Sequence, residues 1–182
     1  MYRYLIFISF FLFSGCAQTQ QSPSIYDYTV NDINGNKFDF STLEGKKVII
    51  VNTASNCGFA YQYGELEELY QKYEKDGLEI VAFPSNDFNK LEPGTNEEIE
   101  KFCKDNYNVS FWLMEKSSIK GKDMIDIYKY LTNKSLNGLM DSKVGWNFQK
   151  YLVDEKGHLV KYIPAKVSPL DTSIVNWIVA NN

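Results

Sequence analysis

Residues 47–83, KVIIVNTASNCGFAYQYGELEELYQKYEKDGLEIVAF, hold two strands and the helix between them, and their reading decides the fold. The run from Lys47 to Asn52 is β-branched and apolar almost throughout, as in a strand covered on both faces. Leu66, Leu69, Tyr70 and Tyr73 recur at helical spacing with Glu and Lys between them, and Gly77 supplies a stop. Leu78 to Phe83 then reads as a second buried strand. A strand–helix–strand unit of this kind predicts an α/β sandwich with a parallel portion.

Working outward, residues 26–40 hold two short β-type runs around Asn34-Gly35, a hairpin signal. Thr95 to Glu98 has the form of a capping box and opens a helix through about Cys103. Phe111 to Leu113 reads as a short strand, and Met124, Ile127, Tyr128 and Leu131 form a helical face. Phe148–Val153 and Leu159–Tyr162 flank the turn Asp154–Gly157 and predict a closing hairpin. Ser168-Pro169 opens a last helix carrying Leu170, Ile174, Trp177 and Ile178. This order predicts one α/β domain over residues 25–182, a thioredoxin-like fold in which helices flank a central mixed sheet, with an N-terminal β-hairpin. No internal repeat is present.

The first 15 residues belong to a different kind of segment. Arg3 precedes an apolar run from Leu5 to Phe13, shorter than the roughly 20 residues of a membrane span, and small residues follow. They read as an export signal. The string LFSGC resembles the lipobox of bacterial lipoproteins, which makes Cys16 the expected lipid attachment site; the other reading is a cleaved signal without lipid. Residues 16–24 are polar and read as a tether. The expectation is a membrane-anchored lipoprotein of a bacterial cell envelope, on the periplasmic side. A formal charge of −4 leaves no electrostatic footprint for nucleic acid. Arg3 is the only arginine, so the domain has no guanidinium with which to clamp a carboxylate. No Cys/His cluster suggests a metal, no cofactor is implied, and His158 sits in a predicted turn.

Cys57 follows the buried strand and precedes the helix near Gln62. The positive end of a helix and its unpaired N–H groups favour a thiolate there, and the thiolate is the nucleophile. Gly58 beside it permits close approach by a substrate. Position alone leaves a structural buried cysteine as the alternative. A thiol–disulfide exchanger of this fold would carry a second cysteine where Ala60 stands, and a copper carrier would want two close cysteines and a histidine partner.

VNTASNCGFAYQYGELEELY, FPSNDFNKLEPGTNEEIEKFC and VGWNFQKYLVD resemble, in order, the three signatures of the glutathione peroxidase family, and the likeness runs from about residue 26 to 180. The resemblance implies a thiol peroxidase that reduces hydrogen peroxide and organic or lipid hydroperoxides through a Cys57 sulfenic acid. It makes Trp146 and Asn147 the donors to the reacting sulfur, and Cys103 the resolving thiol, as in thioredoxin-dependent members. Where the family has Gln, this chain has Asp87, which departs from the pattern. Three roles stay open for Asp87: an ionised carboxylate opposing the thiolate, a protonated donor, or a side chain turned away while Asn86 or the backbone does the polarising. Ser85 replaces the family's other common cysteine, leaving one resolving candidate. The resolving cysteine and the missing arginine point to a thioredoxin-like reductant rather than glutathione. The 115–145 segment lacks the long insert of tetrameric family members, and the resemblance therefore implies a monomer with an open site. A catalytically weakened member with a sensing or binding role is the alternative that Asp87 motivates.

Overall fold

The computed structural model describes residues 23–180. The export signal, Cys16 and the tether up to residue 22 lie outside the described residues. Pro23 and Ser24, read above as the end of the tether, pack on the domain: Ser24 is buried and the Pro23 carbonyl accepts from the Tyr130 hydroxyl.

Two antiparallel strands, β1 (Thr29–Asn31) and β2 (Lys37–Asp39), form the predicted hairpin. Gly35 lies at its turn with φ +81°, a conformation that glycine adopts without a Cβ clash. β3 (Lys47–Thr53), α1 (Gln62–Tyr73) and β4 (Leu78–Pro84) follow as expected, with Gly77 left-handed after α1 and its 3-10 extension. The remaining elements are α2 (Asn96–Tyr107), β5 (Trp112–Leu113), α3 (Asp126–Thr132), α4 (Lys134–Asn137), β6 (Lys150–Val153), β7 (Leu159–Ile163) and α5 (Thr172–Val179). The main sheet has the order β5-β4-β3-β6-β7. β3 and β4 are parallel, as are β4 and β5, while β6 and β7 run antiparallel to their neighbours. The architecture is the thioredoxin-like α/β fold that the sequence predicts.

Alternation along the central strands explains the layers. Ile49 and Val51 point to a core shared with Leu66 of α1, Ile99 of α2 and Ile174 of α5. Val48 and Ile50 point to a second core containing Phe38, Ile127 and Leu131. A strand packed on both sides is apolar at every position, which is the pattern that identified β3.

Several boundaries differ from the sequence reading. α2 runs past Cys103 to Tyr107, where Asn108 turns left-handed with φ 52° and accepts the role of stop. α5 is capped by Asp171, whose carboxylate accepts from Ser173 N–H, and not by Ser168-Pro169. Ser168 instead donates to Glu65 and accepts from Leu170 N–H, forming the turn before the helix. Leu170 and Met124 therefore precede their helices, and α4 has no counterpart in the reading above.

Lys150 occupies an interior strand position and is fully buried. Its ammonium donates to Gln62 at the start of α1 and to the Ala165 and Val167 carbonyls. Burial pushes its pKa down to about 7, with Glu65 opposing. A base whose pKa is lower folded than unfolded binds fewer protons in the native state, so stability rises with pH above the folded value. The gain between pH 7 and 8.5 is about 2 kcal/mol. Thermal melts at both pH values are expected to show this rise in the wild type, and Lys150→Met is expected to remove it. A wild-type melt that is flat across this window would sink the prediction.

Candidate active site

Cys57 lies in the turn that joins β3 to α1 and is 6% exposed. Its N–H donates to Ala54 O (3.3 Å), its carbonyl accepts from Ala60 N–H (2.9 Å), and Phe59 N–H points at Sγ from 3.5 Å. The helix start contributes less than the sequence reading expects. The N–H groups of Gln62, Tyr63 and Gly64 are taken by the carbonyls of Phe59, Ala60 and Tyr61, so the backbone donor to the sulfur is Phe59. Beside it, a Cβ on Gly58 would meet nothing within 4 Å, leaving room for an incoming group.

The segment before β6 is fastened to the same end of β3. Asn52 donates through its amide to Trp146 O (3.1 Å) and accepts from Phe148 N–H (2.6 Å). Between those two anchors sits Asn147, 0% exposed, with neither side-chain polar atom bonded to a protein group. Phe148 adopts φ 69°, a costly conformation for a non-glycine residue of order 1–3 kcal/mol, held by the Asn52 contacts and an edge-on packing against Tyr63. Strain and a buried amide free of partners are features that concentrate at working sites. Trp146 is half-buried and packs on Phe88 with ring centroids 5.6 Å apart.

The Asp87 carboxylate is engaged by the 118–120 segment. Oδ2 accepts from the N–H groups of Ile119 (2.7 Å) and Lys120 (3.1 Å) and from the Ser118 hydroxyl (3.1 Å). Those bonds secure the 118–120 segment, whose Lys120 ammonium stands 4.2 Å over the Phe88 ring. Ser85, at the family's other cysteine position, is buried and ties β4 to Thr53 through its N–H.

Cys103 lies on the inner face of α2, wholly buried, in the same core as Cys57, and both are free thiols. Burial pushes its pKa up to about 12. The Tyr63 hydroxyl, itself well above its ordinary value through burial, faces Cys103 and Thr53 without closing a well-formed hydrogen bond. Two buried charged residues here escaped the sequence reading. Glu92 follows Leu91 in a polar loop and carries no pattern that marks it. Lys150 did leave a signal, as a lone lysine in the apolar run from Phe148 to Val153.

Comparison with known proteins agrees with this geometry. The family profile described as glutathione peroxidase matches residues 25–132. The chain is 44% identical over 155 residues to glutathione peroxidase-like peroxiredoxin 2 of Saccharomyces cerevisiae, covering 84% of this chain and 96% of that one. It is 40% identical over 153 residues to the probable phospholipid hydroperoxide glutathione peroxidase of Citrus sinensis, covering 84% and 91%. Among solved structures it is similar to that described as Trgpx in apo form, with a TM-score of 0.67 and 31% identity, covering 87% of this chain and 97% of the other.

Proposed function

The chain belongs to the glutathione peroxidase family and is a thiol peroxidase acting on hydroperoxides, and from that premise we propose that Cys57 is its nucleophile and Cys103 its resolving thiol. The observation that carries the reading is the turn itself: a cysteine set between β3 and α1, open at Gly58, at the sheet end where Asn52 fastens Trp146 and Phe148 on either side of Asn147.

In the first step the Cys57 thiolate attacks one oxygen of the hydroperoxide. An S–O bond forms, the O–O bond breaks, and the departing alkoxide or hydroxide takes up a proton to leave as alcohol or water. Charge moves from sulfur to oxygen, and donors already aimed at the site lower the barrier without reorganising. Phe59 N–H, the Trp146 indole and the Asn147 amide are the proposed donors. The buried, unpartnered Asn147 amide supports that assignment. Asp87 acts as an anchor for residues 118–120 rather than at the sulfur.

In the second step Cys103 condenses with the sulfenic acid, and a dithiol then reopens the disulfide by exchange. A thioredoxin-like reductant fits a domain with no arginine for the carboxylates of glutathione. The proposal extends to a monomer open enough for lipid hydroperoxides and held at a bacterial envelope membrane, on the periplasmic side, by lipid on Cys16. No helix of the described residues is long and apolar enough to cross a membrane.

Intact mass after one equivalent of hydrogen peroxide tests the two-cysteine cycle. The native domain is expected to lose two hydrogens, and Cys103→Ser to gain one oxygen. No mass change in either protein would rule out an activated Cys57 and favour the weakened, sensing alternative.

A further inference from the structure

We propose that Glu92 is the proton acceptor for Cys103 in the disulfide-forming step, a role that rests on Cys103 being the resolving thiol. Glu92 is 1% exposed, and its carboxylate is held on the very turn that carries Cys57. Oε2 accepts from Ser55 N–H (2.8 Å) and from the Ser55 hydroxyl (3.1 Å), two residues before the nucleophile. The Glu92 N–H donates to Asn86 Oδ1 (3.0 Å), and Asn56 N–H donates to Leu91 O (3.0 Å). A cleft of about 170 Å³ separates this turn from α2, and Glu92 lines it together with Ser55, Ile99 and Phe102. Ile99 stands one turn before Cys103 on the same buried face of α2. The carboxylate thus faces the cleft between the turn that carries Cys57 and the helix that carries Cys103.

The electrostatic surroundings suit a proton acceptor. Burial pushes the Glu92 carboxyl up, while the Ser55 bonds and the Lys116 ammonium pull it down. Its charge acts on Cys103 of α2 and Tyr63 of α1. Glu100 of α2 also acts on Cys103, and Glu98 lines the cleft with one oxygen committed to Thr95 N–H. A thiol with a pKa near 12 is ionised to only about one part in 10⁵ at neutral pH, so bulk water is a poor acceptor while the sulfur remains enclosed. A carboxylate in the cleft receives the proton as the S–S bond forms. The Cys57 S–O bond breaks, hydroxide departs, and Glu92 returns the proton to it. The sum is sulfenic acid plus thiol to disulfide plus water, with no outside oxidant beyond the hydroperoxide already spent.

Rapid-quench mass analysis of the full domain after one equivalent of hydrogen peroxide resolves sulfenic acid formation from disulfide formation, between pH 5 and 9. In Glu92→Gln the disulfide step is expected to slow about 100-fold more than the sulfenic step, the scale of a lost general base. Its rise with pH through the Glu92 titration is expected to vanish, and Glu92→Asp to restore part of both. A disulfide step that is unchanged, faster, or slowed only in proportion to the first step overturns the inference. A wild-type protein that forms no Cys57–Cys103 disulfide would instead remove the resolving role itself, and this inference with it.

Discussion

Cys57→Ser is expected to abolish hydroperoxide turnover. Serine is nearly isosteric, so the swap isolates chemistry from packing. The residue is 6% exposed and its sulfur accepts from Phe59 N–H at 3.5 Å, a bond that a hydroxyl accepts equally well. Stability is expected to stay within about 1 kcal/mol of the wild type, while turnover drops by at least about 10³, because a hydroxyl has no accessible anion and no sulfur to oxidise. Peroxide consumption with a supplied dithiol reductant is the measurement. Retained turnover would require another nucleophile. Cys103, the other free thiol of the described residues, is enclosed and pushed up to about 12, so it is a poor substitute. Full activity in the variant would therefore refute the assignment of the site and not merely shift it.

Much of the frame was legible because burial writes itself into strands. β3 and β4, packed on both faces, could only be apolar at nearly every position, and α1 shows its one-sided face. Helix ends were less legible. Nothing between Cys103 and Asn108 is a glycine or proline, so no breaker marked where α2 stops, and Ser168-Pro169 competed with Asp171 for the same cap. At the site, Cys57, Trp146, Asn147 and Cys103 were found through a resemblance, and geometry then showed what fastens them. Asn52, which bonds both Trp146 and Phe148, looks like any polar residue at a strand end. Glu92 was invisible for the same reason, and Lys150 showed only as a lone lysine in an apolar run. A buried charge is defined by what folds over it, and its neighbours come from segments up to 88 positions away, as with Lys150 and Gln62. Asp87 illustrates the limit from the other side: its substitution was plain, but only the bonds to Ile119 and Lys120 reveal its use.

Cys103→Ser is expected to leave one turnover and halt the next. Peroxide still meets an intact Cys57, so the first equivalent is consumed at close to the wild-type rate. The sulfenic acid then has no internal thiol, and a sulfenic-selective trap such as dimedone should label it fully. Multiple turnover with a thioredoxin-like dithiol is expected to fall by at least about 10², since the reductant acts on a disulfide that no longer forms. Serine beside Tyr63 costs about 1 kcal/mol for a hydroxyl in an apolar core, too little to unfold the domain. Cys103 is 0% exposed, and the resolving role proposed for it includes a local opening of α2 that brings its sulfur along the cleft beside Glu92. Of the helix's twelve residues only Ile99 and Cys103 are fully buried. A segment with so few buried side chains opens at low cost. Amide exchange in α2 should therefore accelerate in the oxidised wild type and stay slow in peroxide-treated Cys103→Ser. Sustained dithiol-driven cycling by the serine variant would refute the resolving role. Cycling restored by glutathione alone would show an external thiol attacking Cys57 directly, and would make glutathione the reductant to pursue.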